Sequence, residues 1–167
     1  MTASVRQVIT DALTLDFTYQ WTHWSLFNHF IIDAGGLPVV PLNFGYRDGW
    51  LVGGGAEYKL NSQVTLRAGL NYELSPVDDT VRNVNLPDSN RIFLGLGGSY
   101  QINPQMSVDA AYAHVFTSSA PINITSPLNP RFTGVPFYGN ATTQVNMVSL
   151  TFNYHFGAPP PVVTAKY

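Results

Sequence analysis

The feature that most constrains this chain is an alternation of period two that recurs along almost its whole length. In residues 64–74, Val64, Leu66, Ala68, Leu70, Tyr72 and Leu74 fall on one side, and Thr65, Arg67, Gly69, Asn71 and Glu73 on the other. A β-strand points successive side chains to opposite faces, so this pattern reads as a strand with one apolar and one polar face. The same split returns at 91–102, where Ile92, Leu94, Leu96, Tyr100 and Ile102 oppose Arg91, Phe93, Gly95, Gly97, Ser99 and Gln101. It returns at 106–117, where Met106, Val108, Tyr112 and Phe116 oppose Ser107, Asp109 and Ala111, and again at 11–23, 44–60 and 144–156. A weaker run at 25–33 brings the expectation to seven strands. No stretch carries the 3.6-residue spacing of a helix, so the fold class is all-β and antiparallel.

Composition decides what covers the apolar faces. Charged residues are 11% of the 167, against about 25% in an ordinary soluble domain. A soluble sheet would charge its exposed face far more heavily. No run approaches the roughly 18–20 apolar residues that a membrane-spanning helix needs. Strands of roughly 11 residues match the 9–11 that cross a bilayer when tilted. The connections alternate, short at 61–63 and 103–105, long at 75–90 and 118–143. Short turns at one end and long loops at the other are the outer-membrane arrangement. The expectation is a transmembrane β-barrel wall, with Leu66, Leu70, Leu94, Leu96, Val108, Leu150 and Phe152 toward lipid. Tyr58, Tyr72, Tyr100, Tyr112, Phe116 and Tyr154 lie toward strand ends, where interfacial girdles form. A soluble barrel or sandwich is the competing reading.

The net charge of −2 leaves no basic stripe for nucleic acid. The absence of cysteine excludes disulfides and thiolate metal sites. The first ten residues carry neither the apolar run nor the cleavage site of an export signal. The chain divides into an N-terminal stub at 1–10, barrel strands at 11–156, and a C-terminal tail at 157–167.

Several segments together resemble a known family. Tyr19–Phe27 (YQWTHWSLF), Tyr46–Trp50 (YRDGW), Leu66–Pro76 (LRAGLNYELSP), Leu86–Phe93 (LPDSNRIF), Gly97–Tyr100 and Phe152–Phe156 (FNYHF) are similar to the FadL family of Gram-negative outer membranes. That family comprises long-chain fatty acid transporters and porters for toluene-like hydrocarbons. The resemblance implies a 14-stranded barrel of which these strands form the C-terminal half, without the N-terminal half and its hatch. It implies a channel for passive uptake of long-chain fatty acids or aromatic hydrocarbons, with no cofactor. It places the protein in the cell outer membrane, against lipid and lipopolysaccharide.

Within that frame the lumen-facing charges are Asp16, Glu57, Lys59, Arg67, Glu73, Arg91 and Asp109. Arg67 and Arg91 are the candidates to hold a fatty acid carboxylate, a positive group in an apolar lumen being what such a ligand needs. The bland alternative is that charges of both signs pair across strands. Asp78, Asp79 and Asp88 could hold a hard cation bridging to lipopolysaccharide, or could simply be a solvated loop. Leu86-Pro87-Asp88, with Asn90 and Arg91, is expected to fix the return of that loop to the rim. Catalysis finds no support: His23, His29, His114 and His155 lack metal spacing, and there is no nucleophile elbow. The second functional reading is a small stand-alone outer-membrane barrel with a structural or adhesive role. Gly53, Gly55, Gly69, Gly95 and Gly97 on the inward side argue against it, because a filled small barrel needs bulky side chains there.

Overall fold

The computed structural model describes residues 1–32, 35, 40–127 and 132–156. The tail expected at 157–167 lies outside the described residues. Seven antiparallel strands form one sheet: β1 (Thr2–Val8), β2 (Leu13–Thr22), β5 (Gly49–Lys59), β6 (Val64–Leu74), β7 (Arg91–Asn103), β8 (Met106–Thr117) and β11 (Gln144–Tyr154). Their spatial order, β1-β2-β5-β6-β7-β8-β11, follows the chain, and β1 and β11 are its two edges. The sheet is an up-and-down wall that does not close on itself. Two short hairpins lie apart from it, β3 (His29–Ile32) with β4 (Val40–Asn43), and β9 (Ala120–Ile124) with β10 (Phe137–Ala141).

The count of seven is as expected, but its membership is not. The segment at 25–33 is no wall strand: Trp24–Phe27 is a 3-10 turn and His29–Ile32 belongs to the small hairpin. The Ser25 hydroxyl and N–H both donate to Asp48 Oδ1, at 2.7 and 3.1 Å, and pin that turn to the residue before β5. The seventh wall strand is instead supplied by the expected stub. Residues 2–8 pair with β2 over the full register from Thr2↔Gln20 to Val8↔Thr14.

Each short turn is built from a side-chain oxygen. Thr10 Oγ1 accepts from the N–H of Leu13 (3.0 Å), and Asn61 Oδ1 from those of Gln63 and Val64 (both 2.8 Å). Asn103 Oδ1 accepts from Gln105 N–H at 2.9 Å. Local side chains thus satisfy backbone donors that a reversal leaves unpaired. A register shift between Gln101 and Asn103 marks the last of these turns.

The two faces differ as the alternation requires. Along β7, Ile92, Leu94, Leu96, Tyr100 and Ile102 are exposed while Arg91, Phe93, Gly95, Gly97, Ser99 and Gln101 are half-buried. Leu66, Leu70, Val148, Leu150 and Phe152 share the apolar face and are exposed as well. The conventional core lies elsewhere. Val77, Ala120, Ile122 and Ile124 are buried and belong to the long connections beyond the wall strands, and Val115, at the loop end of β8, is the buried apolar residue of the wall among the described residues.

Candidate functional site

Asp16, Glu57, Lys59, Arg67, Glu73, Arg91 and Asp109 alternate with the apolar residues along their strands; Glu57, Glu73, Arg91 and Asp109 are half-buried, and Asp16, Lys59 and Arg67 are exposed. One register row runs through Asp16, Gly55, Gly69, Gly95, Ala113 and Met147 on six successive strands. These small residues leave an open depression of about 540 Å³ against the wall, bordered by Arg6, Asp16, Glu57, Arg67 and Asp109. A Cβ on Gly55 would stand 2.9 Å from Asp16 Oδ2, so this glycine makes room for a carboxylate. A Cβ on Gly95 would meet nothing within 4 Å, so this one leaves free space.

Below that row, toward the short turns, a thread of polar side chains crosses the wall. Arg6 Nη2 donates to Glu57 Oε1 (3.1 Å) and Arg67 Nε to Glu57 Oε2 (2.7 Å). Arg67 Nη1 donates to Ser99 Oγ (2.6 Å), and the Ser99 hydroxyl bonds to Asp109. Asn153 Nδ2 donates to Asp109 Oδ2 at 2.6 Å. The thread begins on the edge strand β1 and ends on the other edge, β11. Lys59 stands near it, opposite Thr65.

Near the long loops a second cluster forms around Arg91. Its Nη2 donates to both oxygens of Asp88 (2.8 and 3.0 Å), and its Nε lies 3.3 Å from Glu73 Oε2. Asp88 also accepts from the Ser75 hydroxyl at 2.6 Å, and Asn90 Oδ1 from Ser75 N–H at 3.0 Å. The expected return of the loop to the rim through Asp88, Asn90 and Arg91 is therefore observed. This cluster forms one side of a smaller pocket of about 250 Å³, lined by Asp88, Ser89, Arg91, Thr117 and Thr143 as well as by Pro87, Phe93, Val115, Val145 and Met147.

Arg67 and Arg91 are not brought together. Arg67 is six positions along β6 from Glu73, the partner of Arg91 in the register, which is about 20 Å of strand. Each sits in its own group of carboxylates. Glu57 and Asp109 flank Arg67, and Asp88 and Glu73 flank Arg91. The acidic cluster of the first long loop is dispersed. Asp88 serves Arg91, Asp79 pairs with Arg82, and Asp78 accepts from the Thr80 N–H (2.8 Å) and hydroxyl. Burial pushes the Asp78 carboxyl up, but the Thr80 bonds, the Arg47 charge and Val81 N–H outweigh it and hold it below the ordinary range. Among the described residues no group of three or more potential ligands is placed to hold a metal ion.

Two residues escaped the sequence reading. Arg6 lay in the presumed stub. Arg82, only 4% exposed, was hidden because its partners are mainly backbone carbonyls. It donates to Asp88 O (2.7 Å) and Pro121 O (3.0 Å), tying the first long loop to β9.

Comparison with known proteins fits this wall. A crystal structure of a Pseudomonas aeruginosa FadL homologue superposes with a TM-score of 0.82 and 31% identity, over 93% of this chain and 35% of that one. The 47 kDa outer membrane protein of Pasteurella multocida is 27% identical over 89% of this chain and 32% of its own length. The long-chain fatty acid transport protein of Escherichia coli K12 is 26% identical over 65% of this chain and 25% of its own. The chain thus spans about a third or less of these relatives. The model of the outer membrane protein transport proteins (OMPP1/FadL/TodX) matches residues 1–156. An open antiparallel wall, apolar on one face and small-residued with paired arginines on the other, matched over nearly all its length, belongs to that transport family of Gram-negative outer membranes.

Proposed function

We propose that this chain forms half the wall of a 14-stranded channel for passive uptake of hydrophobic compounds, long-chain fatty acids or aromatic hydrocarbons among them. The observation that carries this is the division of the wall. Its outward side chains are apolar and exposed, while its inward face presents small residues over an open depression, with Arg67 and Arg91 each engaged by carboxylates. Such a face offers an apolar guest room and few unpaired charges to displace. Edges at β1 and β11 require partner strands, because unpaired backbone groups in lipid cost several kcal/mol each. The remaining strands of the barrel supply them in this reading.

Transport needs no energy source of its own here; the gradient drives it, and the wall supplies a path and excludes leakage. Arg67 and Arg91 are the cations we assign to an acidic guest. Each is already held by carboxylates, so a fatty acid must compete with Glu57 or Asp88 for its guanidinium. An uncharged hydrocarbon meets no such competition. The test is uptake of labelled oleate and xylene by Gram-negative cells lacking other channels of this family, with and without the native protein. Faster uptake of either supports the reading. Equal rates with and without the protein overturn it.

A further inference from the structure

Beyond the loop ends of β5 to β8 lies a cleft that the channel reading does not use. It has a volume of about 430 Å³ and is enclosed by Arg47, the 78–82 segment, Ser89 with Asn90, and Ser118 with Ser119. That size falls within the roughly 300–1,000 Å³ of small-molecule sites. Every side chain lining it is polar or charged. An apolar guest would take water from these groups and replace none of its hydrogen bonds.

The polar groups are fixed before any guest arrives. Arg82, 4% exposed, holds Asp79 Oδ1 while it donates to the carbonyls of Asp88 and Pro121. Asp78 Oδ1 accepts from the Thr80 N–H and hydroxyl, and Asn90 Oδ1 from Ser75 N–H. Arg47 is anchored by Nε, which donates to Ser75 O at 3.1 Å. Among the described residues, these bonds leave the Oδ2 atoms of Asp78 and Asp79 as acceptors. They leave Asn90 Nδ2 and the Arg47 Nη groups as donors, and the Ser118 hydroxyl as either.

This mixture selects the class of guest. Two guanidinium groups stand with two carboxylates, so the cleft carries no net charge and favours neither an anion nor a cation. A sugar hydroxyl donates one hydrogen bond and accepts others, and successive hydroxyls on a ring need such a mixed set. We propose that this cleft binds a saccharide of one or two rings, with Arg47, Asp78, Asp79, Asn90 and Ser118 as its hydrogen-bonding partners. The long connections of an outer-membrane barrel face outward from the cell, where two sources of saccharide meet them. One is the core oligosaccharide of neighbouring lipopolysaccharide and the other is free sugar. Nothing in this assignment depends on what the lumen carries.

The native protein in detergent would be titrated by calorimetry with core oligosaccharide freed from lipid A, and separately with maltotriose. Hydrogen exchange would be followed over 78–82 and 118–119. At least one saccharide should bind saturably and slow exchange in both segments several-fold. Binding of the core alone assigns the cleft to lipopolysaccharide, binding of maltotriose alone to free sugar, and binding of both to saccharides at large. Ser118→Trp, at an exposed position that fills the cleft, should weaken binding at least tenfold. Asp79→Asn, which keeps the shape and removes the charge, should weaken it several-fold. Leu150→Ala on the apolar face of the wall should leave it unchanged, and unaltered exchange in the wall strands shows that each variant is folded. Inorganic phosphate should not displace the saccharide. No saturable binding of either saccharide, binding indifferent to both cleft variants, or full displacement by phosphate overturns the proposal. Oleate and xylene uptake enter none of these readouts, so the channel reading stands or falls separately.

Discussion

The wall and its loop cap are built by opposite rules. In the wall, Leu66, Leu70, Leu96 and Leu150 face outward and are about half exposed or more. In the cap, Val77, Ala120, Ile122 and Ile124 face inward and are nearly sealed. The cap behaves as a small water-soluble core, with β9 alternating buried and exposed residues. The wall has hydrocarbon for its solvent, so its apolar groups need no protein neighbours. The same amino acids are therefore held by different terms, packing in the cap and transfer into lipid in the wall.

Ile122→Ala tests the cap half of that contrast and should have the largest effect. It loses both transfer energy and a cavity term, about 2–5 kcal/mol of local stability, read by hydrogen exchange over 118–124. Leu96→Ala in the wall should cost less, about 1.5–2 kcal/mol, because lipid fills the space it leaves. A cost equal to that of Ile122→Ala would break the comparison. Leu96→Arg should cost about 2–4 kcal/mol if this position lies near the bilayer midplane, measured by refolding into vesicles. Arg82→Met should strip donors from the carbonyls of Asp88 and Pro121. That should cost about 1–3 kcal/mol and raise exchange in 75–90 and 118–124 while leaving the wall strands protected. Arg67→Gln should change stability by less than about 1 kcal/mol, since Arg67 is half exposed and such pairs are weak. The smallest effect concerns Asp78. Its lowered pKa stabilises the Thr80 turn fully above the ordinary aspartate value of about 3.9, and that contribution is lost as pH falls through the lower folded value. Exchange at Thr80 and Val81 should rise only in that acid window, and Asp78→Asn should abolish the dependence.

How much of this was legible follows the same division. The wall faces were readable because period two survives in β6, β7 and β8, and the short turns fix the hairpin register that sets Glu57 opposite Arg67. β1 was not readable. Gln7 falls on its apolar side and Val8 on its polar side, which blurs the alternation over seven residues. Residues 25–33 misled for the reverse reason, being apolar on both sides, and the pin from Ser25 to Asp48 spans 23 positions. The role of Arg82 depends on carbonyls six and 39 residues away. Backbone acceptors have no letter in a sequence.

The turns bound by Thr10, Asn61 and Asn103 carry a kinetic consequence. Only four residues separate β5 from β6, whereas 26 separate β2 from β5. From length alone, closing the longer connection costs about 1.7 kcal/mol more in chain entropy. The ladders β1–β2, β5–β6 and β7–β8 are thus the cheap nuclei, and each can zip from its own turn before meeting the others. Assembly then becomes the docking of three prefabricated hairpins and one solitary strand, β11. The seams β2/β5, β6/β7 and β8/β11 are the late, rate-setting joints, each bridged by a long loop.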